Sequence, residues 1–248
     1  MALLSASGII FCLKSIGRQK FKNIYWFPVV LWILTPTISW AYKNNMLENT
    51  LSVFVIFAVG TAIKAVNENK FPYLILSAFL TFLAFLTKGF VGLFPVVVSG
   101  LYAVIFVRNR TIAKLKYIFA PALLTVFFLF MSFMLFPSLK ENIIKYMNVQ
   151  LFPALQNKRE ITTNNYYNII LILFKELIIP VTIVLILILT AKVAKVLKPC
   201  SIKDQNIILF FLIIGLSGSL PLMVTLKQRA FYLVPSIPFF ILVFTIII

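Results

Sequence analysis

The chain of 248 residues is 62% apolar and only 12% charged, which leaves too little polar surface to coat a soluble body of that length. Its 23 Lys and Arg against six acids give a formal net charge of +17, and the absence of histidine excludes His-based acid–base catalysis and every His-containing metal site. The composition predicts an all-α, polytopic transmembrane helix bundle.

A helix that crosses the hydrocarbon core needs about 17 to 25 mostly apolar residues. Runs of that kind predict helices at 24–42, 50–66, 71–87, 90–107, 117–136, 168–190, 206–226 and 231–248, eight spans after a short apolar start at 1–13. The expectation is therefore about 8–9 helices in a single transmembrane domain over 1–248. The opening segment has no basic residue ahead of its apolar stretch, with Lys14 and Arg18 following it, so it does not read as a secretory signal. With the apolar run 239–248 at the other end, it predicts that the chain is a piece of a longer protein.

The basic residues between the spans alternate in number. Lys14, Arg18, Lys20 and Lys22, then Lys64 and Lys70, then Arg108, Arg110, Lys114 and Lys116, then Lys192, Lys195, Lys198 and Lys203 fall in every second gap. These fourteen belong on the cytoplasmic side by the positive-inside rule. The opposite gaps hold eight, Lys43, Lys88, Lys140, Lys145, Lys158, Arg159, Lys227 and Arg229. The net charge thus reports orientation and attraction to anionic membrane lipids, and needs no nucleic-acid partner. Cys12 and Cys200 fall near cytoplasmic helix ends, where thiols stay reduced and no structural disulfide is expected.

The stretch 137–167 is the one long excursion, placed outside the cytoplasm by this threading. Leu139, Ile143, Ile144, Met147 and Leu151 recur at helical spacing among charged residues, which predicts a short amphipathic helix lying in the interface. The loop then turns polar and closes on Tyr166 and Tyr167. Pro28, Pro36, Pro95, Pro121, Pro180, Pro221, Pro235 and Pro238 predict kinked spans.

Charge in or beside an apolar layer is costly and tends to mark a site. Four places qualify: Glu48 at the outer start of a helix, Lys88 in the FLTKGFVG break, the adjacent Lys175 and Glu176 inside a span, and Lys227 with Arg229 in LKQRAFYLVPSIP at the start of the last helix. Lys175 and Glu176 point about 100° apart on a helix and need not pair.

In chain order, these features are an acid at an outer helix start, a TKG break after a helical hairpin, a long loop ending in a Tyr pair, and K-x-R-x-x-Y-x-x-P-x-x-P. That order resembles the integral-membrane glycosyltransferases of the GT-C type, in particular the bacterial relatives of protein O-mannosyltransferase and of the aminoarabinose transferase that modifies lipid A. Phe85 to Leu93, FLTKGFVGL, is similar to that family's "ltKGp.gl" with Phe90 where proline is common. Lys227, Tyr232, Pro235 and Pro238 match its "K...Y.lp..P", and Tyr166 with Tyr167 resemble the aromatic pair after its large outer loop. The family's principal catalytic carboxylate lies in a first outer loop, upstream of what this chain contains, so no residue here takes that role. Glu48 resembles a second family acid.

The resemblance implies transfer of a sugar from a polyprenyl-phosphate donor to a lipid, protein or glycan acceptor, at the extracytoplasmic face of a bacterial inner membrane. It makes Glu48, as that second acid, the catalytic candidate of this chain, with Lys88, Lys227 and Arg229 as donor-phosphate ligands and Tyr166, Tyr167 and Tyr232 as cavity walls. It leaves a divalent metal open as a cofactor while naming no metal ligand. Preorganised cations would stabilise the charge that builds on the leaving phosphate, and a carboxylate would receive the acceptor's proton. Two rival readings stand beside it, a transporter or flippase for lipid-linked glycans and an inactive fragment of the transferase. A transporter should carry polar residues through mid-membrane depth and often repeated halves, whereas this chain gathers its polar groups toward one face.

Overall fold

The computed structural model describes residues 1–17, 19–107, 111–156, 158, 160–195 and 201–248, and among them every regular element is helical. Arg18, Arg108, Arg110, Arg159, Lys198 and Cys200, all used in the sequence reading, lie outside the described residues.

Among the described residues, five segments are long and apolar enough to cross a bilayer: Leu47–Glu68, Phe71–Phe106, Lys114–Leu135, Asn168–Val193 and Ile202–Val224. A bent pair, Phe21–Ile33 with Pro36–Lys43, brings the number to six if counted as one crossing. Helix α1 (Ala2–Ser15) and the last helix, α12 (Ile237–Ile247), are apolar but shorter.

The helix expected over 24–42, kinked at its prolines, is broken in two. Helices α2 (Phe27–Ile33) and α3 (Pro36–Lys43) meet at 74°. Pro36 is the cause: its ring excludes the α conformation from the residue before it, and Thr35 is accordingly extended at ψ 122°. The Thr37 N–H left without a helical partner donates to Glu176 Oε2 at 2.8 Å.

Helix α4 (Leu47–Glu68) ends on Asn69, whose left-handed backbone turns the chain directly into α5 (Phe71–Lys88). The pair is an antiparallel hairpin, so the start of α4 and the end of α5 share one end of the bundle. Segment Phe71–Phe106 does not continue as one rod. Gly89, at φ +67°, breaks the helix, and a 3₁₀ stretch, Gly89–Val97, folds back on α5 before α6 (Val98–Phe106) begins. The reversal is shown by Gly92: a Cβ there would sit 2.4 Å from the Ala84 carbonyl carbon and oxygen, residues that a straight helix would hold roughly 12 Å apart.

Helix α7 (Thr111–Leu135) returns the chain to the Glu48 end, where α8 (Pro137–Tyr146), a π turn (Met147–Leu151) and α9 (Phe152–Leu155) follow without burying a residue. The amphipathic helix expected over 139–151 is thus part of a longer helical run. Helices α10 (Asn168–Val193) and α11 (Ile202–Ser219) follow, and both pack on the last helix. Helix α12 begins at Ile237 rather than at 231, because Pro238 belongs in a first turn, where its missing N–H costs nothing.

Helices α12 and α4 form the centre, with Phe239, Ile241, Leu242, Ile56 and Ile63 fully buried. By contrast α7 and α10 present Leu123 and Phe174 at 68% and 67% exposure among many other apolar side chains. A continuous apolar exterior of this kind is the surface of a membrane protein.

Candidate functional site

The bundle has two distinct ends. Lys64, Glu68 and Lys70 lie at one, where Asn69 Oδ1 accepts from Lys116 Nζ and Tyr117 Oη, each at 2.8 Å. Ser201 caps α11 near this end by accepting from the Asp204 N–H at 3.2 Å and donating to its carboxylate at 2.7 Å. The candidate site is at the other end.

Glu48 is the second residue of α4, in the turn where helix N–H groups favour a negative charge. It is 3% exposed and ion-paired with Lys88, the last residue of α5. The hairpin itself makes this pair, by placing residues forty positions apart at the same height. The Lys88 ammonium also stands 4.3 Å from the centre of the Tyr232 ring and 5.7 Å from that of Phe231. Phe231 in turn stacks on Trp40 of α3 at 5.8 Å, which ties the broken helix to the site.

A cavity of about 550 Å³ opens beside this pair. Glu48, Lys88, Lys227 and Tyr232 line it together with Phe90 and Phe94 from the fold-back after α5. Its cover comes from the helical run after α7, through Tyr146, Gln150, Leu151 and Leu155. Tyr146 is held against Gly89, where a Cβ would lie 2.5 Å from the phenol oxygen.

Lys227 and Arg229 do not start the last helix as expected. They lie ahead of a 3₁₀ turn at Ala230–Leu233, with Arg229 extended at φ −137° and ψ 148°. In extended chain alternate side chains share a face, and both cations reach one carboxylate: Lys227 Nζ and Arg229 Nη2 each lie 3.1 Å from an oxygen of Glu160. These two cations hold the Glu160 carboxyl below its ordinary value, the Lys227 hydrogen bond being the largest cause. Arg229 is not among the cavity-lining residues, whereas Lys227 is.

Between the two cations, Gln228 faces inward and is 3% exposed. Its amide nitrogen donates to the Tyr166 and Thr225 carbonyls at 2.8 and 3.0 Å, and its oxygen accepts from the Ile169 N–H at 2.6 Å. The Gln228 N–H donates to Thr162 Oγ1 at 2.8 Å, and the Thr162 N–H donates to the Leu226 carbonyl at 3.2 Å. This knot fastens the loop before α10 to the segment before α12.

Of the seven residues singled out from sequence, Glu48, Lys88, Lys227 and Tyr232 meet in the cavity wall, and Arg229 joins them through Glu160. Tyr166 and Tyr167 lie outside the lining, 42% and 63% exposed, and Tyr166 contributes a backbone carbonyl. Glu160, Gln228, Tyr146 and Phe231 were not singled out. For Gln228 a signal existed: a residue between two cations on an extended strand points the opposite way from both.

Glu176, the mid-span acid, is committed to the Thr37 backbone rather than to a cavity. Among the described residues no group of three or more Cys, Asp or Glu is placed to hold a metal ion. The cavity offers a divalent cation one carboxylate, Glu48, which Lys88 already engages, so the residues present do not suit a metal. No family model matches the chain, and no curated protein or solved structure matches it either.

Proposed function

We propose that the chain is a membrane glycosyltransferase, or the greater part of one, that takes a sugar from a polyprenyl-phosphate donor and passes it to an acceptor at the extracytoplasmic face. The observation that carries this reading is the meeting of Glu48, Lys88 and Lys227 in one cavity at one end of an apolar bundle. The donor's isoprenoid would lie in the bilayer while its phosphate stands at that end, and cations held in a water-poor cleft would steady the phosphate.

In the transfer, an acceptor oxygen bonds to the anomeric carbon as the bond from that carbon to the phosphate oxygen breaks. The bonding pair leaves on the phosphate, and the acceptor's proton goes to a base. Lys227 would meet the developing negative charge, joined by Lys88 as the phosphate draws it away from Glu48 and frees that carboxylate. Glu48 is the lining carboxylate able to receive the proton.

In the same reading α5 and 89–106 are separate crossings, the bent pair is one, and α12 is a short one. Eight crossings result, with 137–167 outside the membrane. The heavier lysine content at the Lys64 end supports a cytoplasmic position for that end and an extracytoplasmic one for the cavity. A transport path through mid-membrane is disfavoured by Glu176, whose carboxylate serves as a helix cap.

The test is equilibrium binding of a polyprenyl-phosphate sugar to the whole chain in detergent or nanodiscs. Lys227→Ala should weaken binding by about tenfold or more, the worth of one charge-assisted contact to phosphate. Equal affinity in the variant and the parent would remove the phosphate role.

A further inference from the structure

We propose that Glu160 determines which phosphate charge the cavity accepts: docked on Lys227 and Arg229, its carboxylate matches the site to a singly charged phosphodiester and sets it against a doubly charged phosphomonoester. The inference rests on the reading that these cations hold the donor's phosphate.

The geometry supplies the argument. Each cation is bonded to a different oxygen of the same carboxylate, at 3.1 Å in both cases. Two positive charges against one negative leave a single positive charge on this cluster. Glu160 is not placed there by chance of a free loop, because Thr162, two residues on, is bonded to the backbone on both sides of Lys227, through the Leu226 carbonyl at 3.2 Å and the Gln228 N–H at 2.8 Å. The carboxylate therefore returns to the same two cations whenever they are vacant. At 61% side-chain exposure it can also swing into water without crossing packed structure.

The chemistry gives this placement a consequence. A polyprenyl-phosphate sugar carries two ester links on phosphorus and one negative charge. Once the bond to the anomeric carbon breaks and its electron pair stays on the phosphate oxygen, the lipid product is a monoester with a charge of roughly −1.5 to −2 at neutral pH. Tethered through Thr162, the Glu160 carboxylate stays near the phosphate and opposes that extra charge, with a repulsion that water moderates at its exposed position. Glu160 therefore favours the donor over the spent carrier and helps the product leave.

The experiment measures, on the whole chain, the affinity for a short-chain polyprenyl phosphate and for its sugar phosphodiester, in parent, Glu160→Gln and Glu160→Asp proteins. Glu160→Gln should tighten the monoester about tenfold relative to the diester, and Glu160→Asp, which keeps the charge, should keep the parent's ratio. A ratio unchanged in Glu160→Gln, or equal weakening of both ligands, would overturn the proposal. If the parent binds neither ligand, the donor-phosphate reading fails and this inference with it; if the parent binds the diester and the ratio does not move, only the role of Glu160 fails.

Discussion

Glu48 is 3% exposed and its partner Lys88 lies among the Phe231 and Tyr232 rings, so each charge depends on the other. Removing one member of a buried ion pair strands the other, whereas removing both can be nearly neutral. Glu48→Ala should therefore destabilise the protein by about 3 kcal/mol, and adding Lys88→Met should restore most of the loss. Thermal unfolding in detergent measures both, and a Glu48→Ala protein as stable as the parent would contradict the pairing. Both residues were legible in the sequence because charge is rare in this chain and each sits where an apolar run starts or stops. Glu160 was not, because an acid in a polar loop carries no local sign of its partners, which lie 67 and 69 residues away. The Tyr pair falls outside the cavity lining, and aromatic residues at the boundary of an apolar helix have an ordinary interfacial reason to be there.

At the scale of elements, the fold-back after α5 shapes the cavity, since Phe90, Val91 and Phe94 all contribute to its wall. That approach depends on Gly92. A methyl group there would press on the Ala84 backbone at 2.4 Å, and backbone cannot rotate away as a side chain can. Gly92→Ala should cost about 1 to 3 kcal/mol, the usual range for overpacking, and should displace the cavity wall. Unchanged thermal stability would show that the contact is looser than described. The turn at TKG was readable, because glycine after the last helical residue is a stop signal. The break at Pro36 was read only as a kink, and the carboxylate that caps the helix after it, Glu176, lies 139 residues from Thr37, which no local pattern announces. The late start of α12 follows from Pro238 alone and was available in principle.

Over the whole molecule, apolar composition and the length of the apolar runs made the all-helical class and the membrane setting plain from sequence. Short elements were harder: the 11 residues of α12 lie at the centre, where neighbours rather than length define a helix. What the fold adds is the segregation of its ends. Lys64, Lys70 and Lys116 gather around Glu68 and Asn69 at one end, while Glu48, Lys88, Lys227, Arg229 and Glu160 gather at the other. The most direct test of the account uses a membrane-impermeant, photoreactive short-chain isoprenyl phosphate supplied to one side of sealed vesicles, with the labelled peptides mapped by mass spectrometry. Applied from the extracytoplasmic side, the reagent should mark the cavity segments 146–155 and 217–232, and an excess of polyprenyl-phosphate sugar should suppress the marking. Labelling confined to the cytoplasmic side, or falling instead on 64–73 and 114–117, would contradict it.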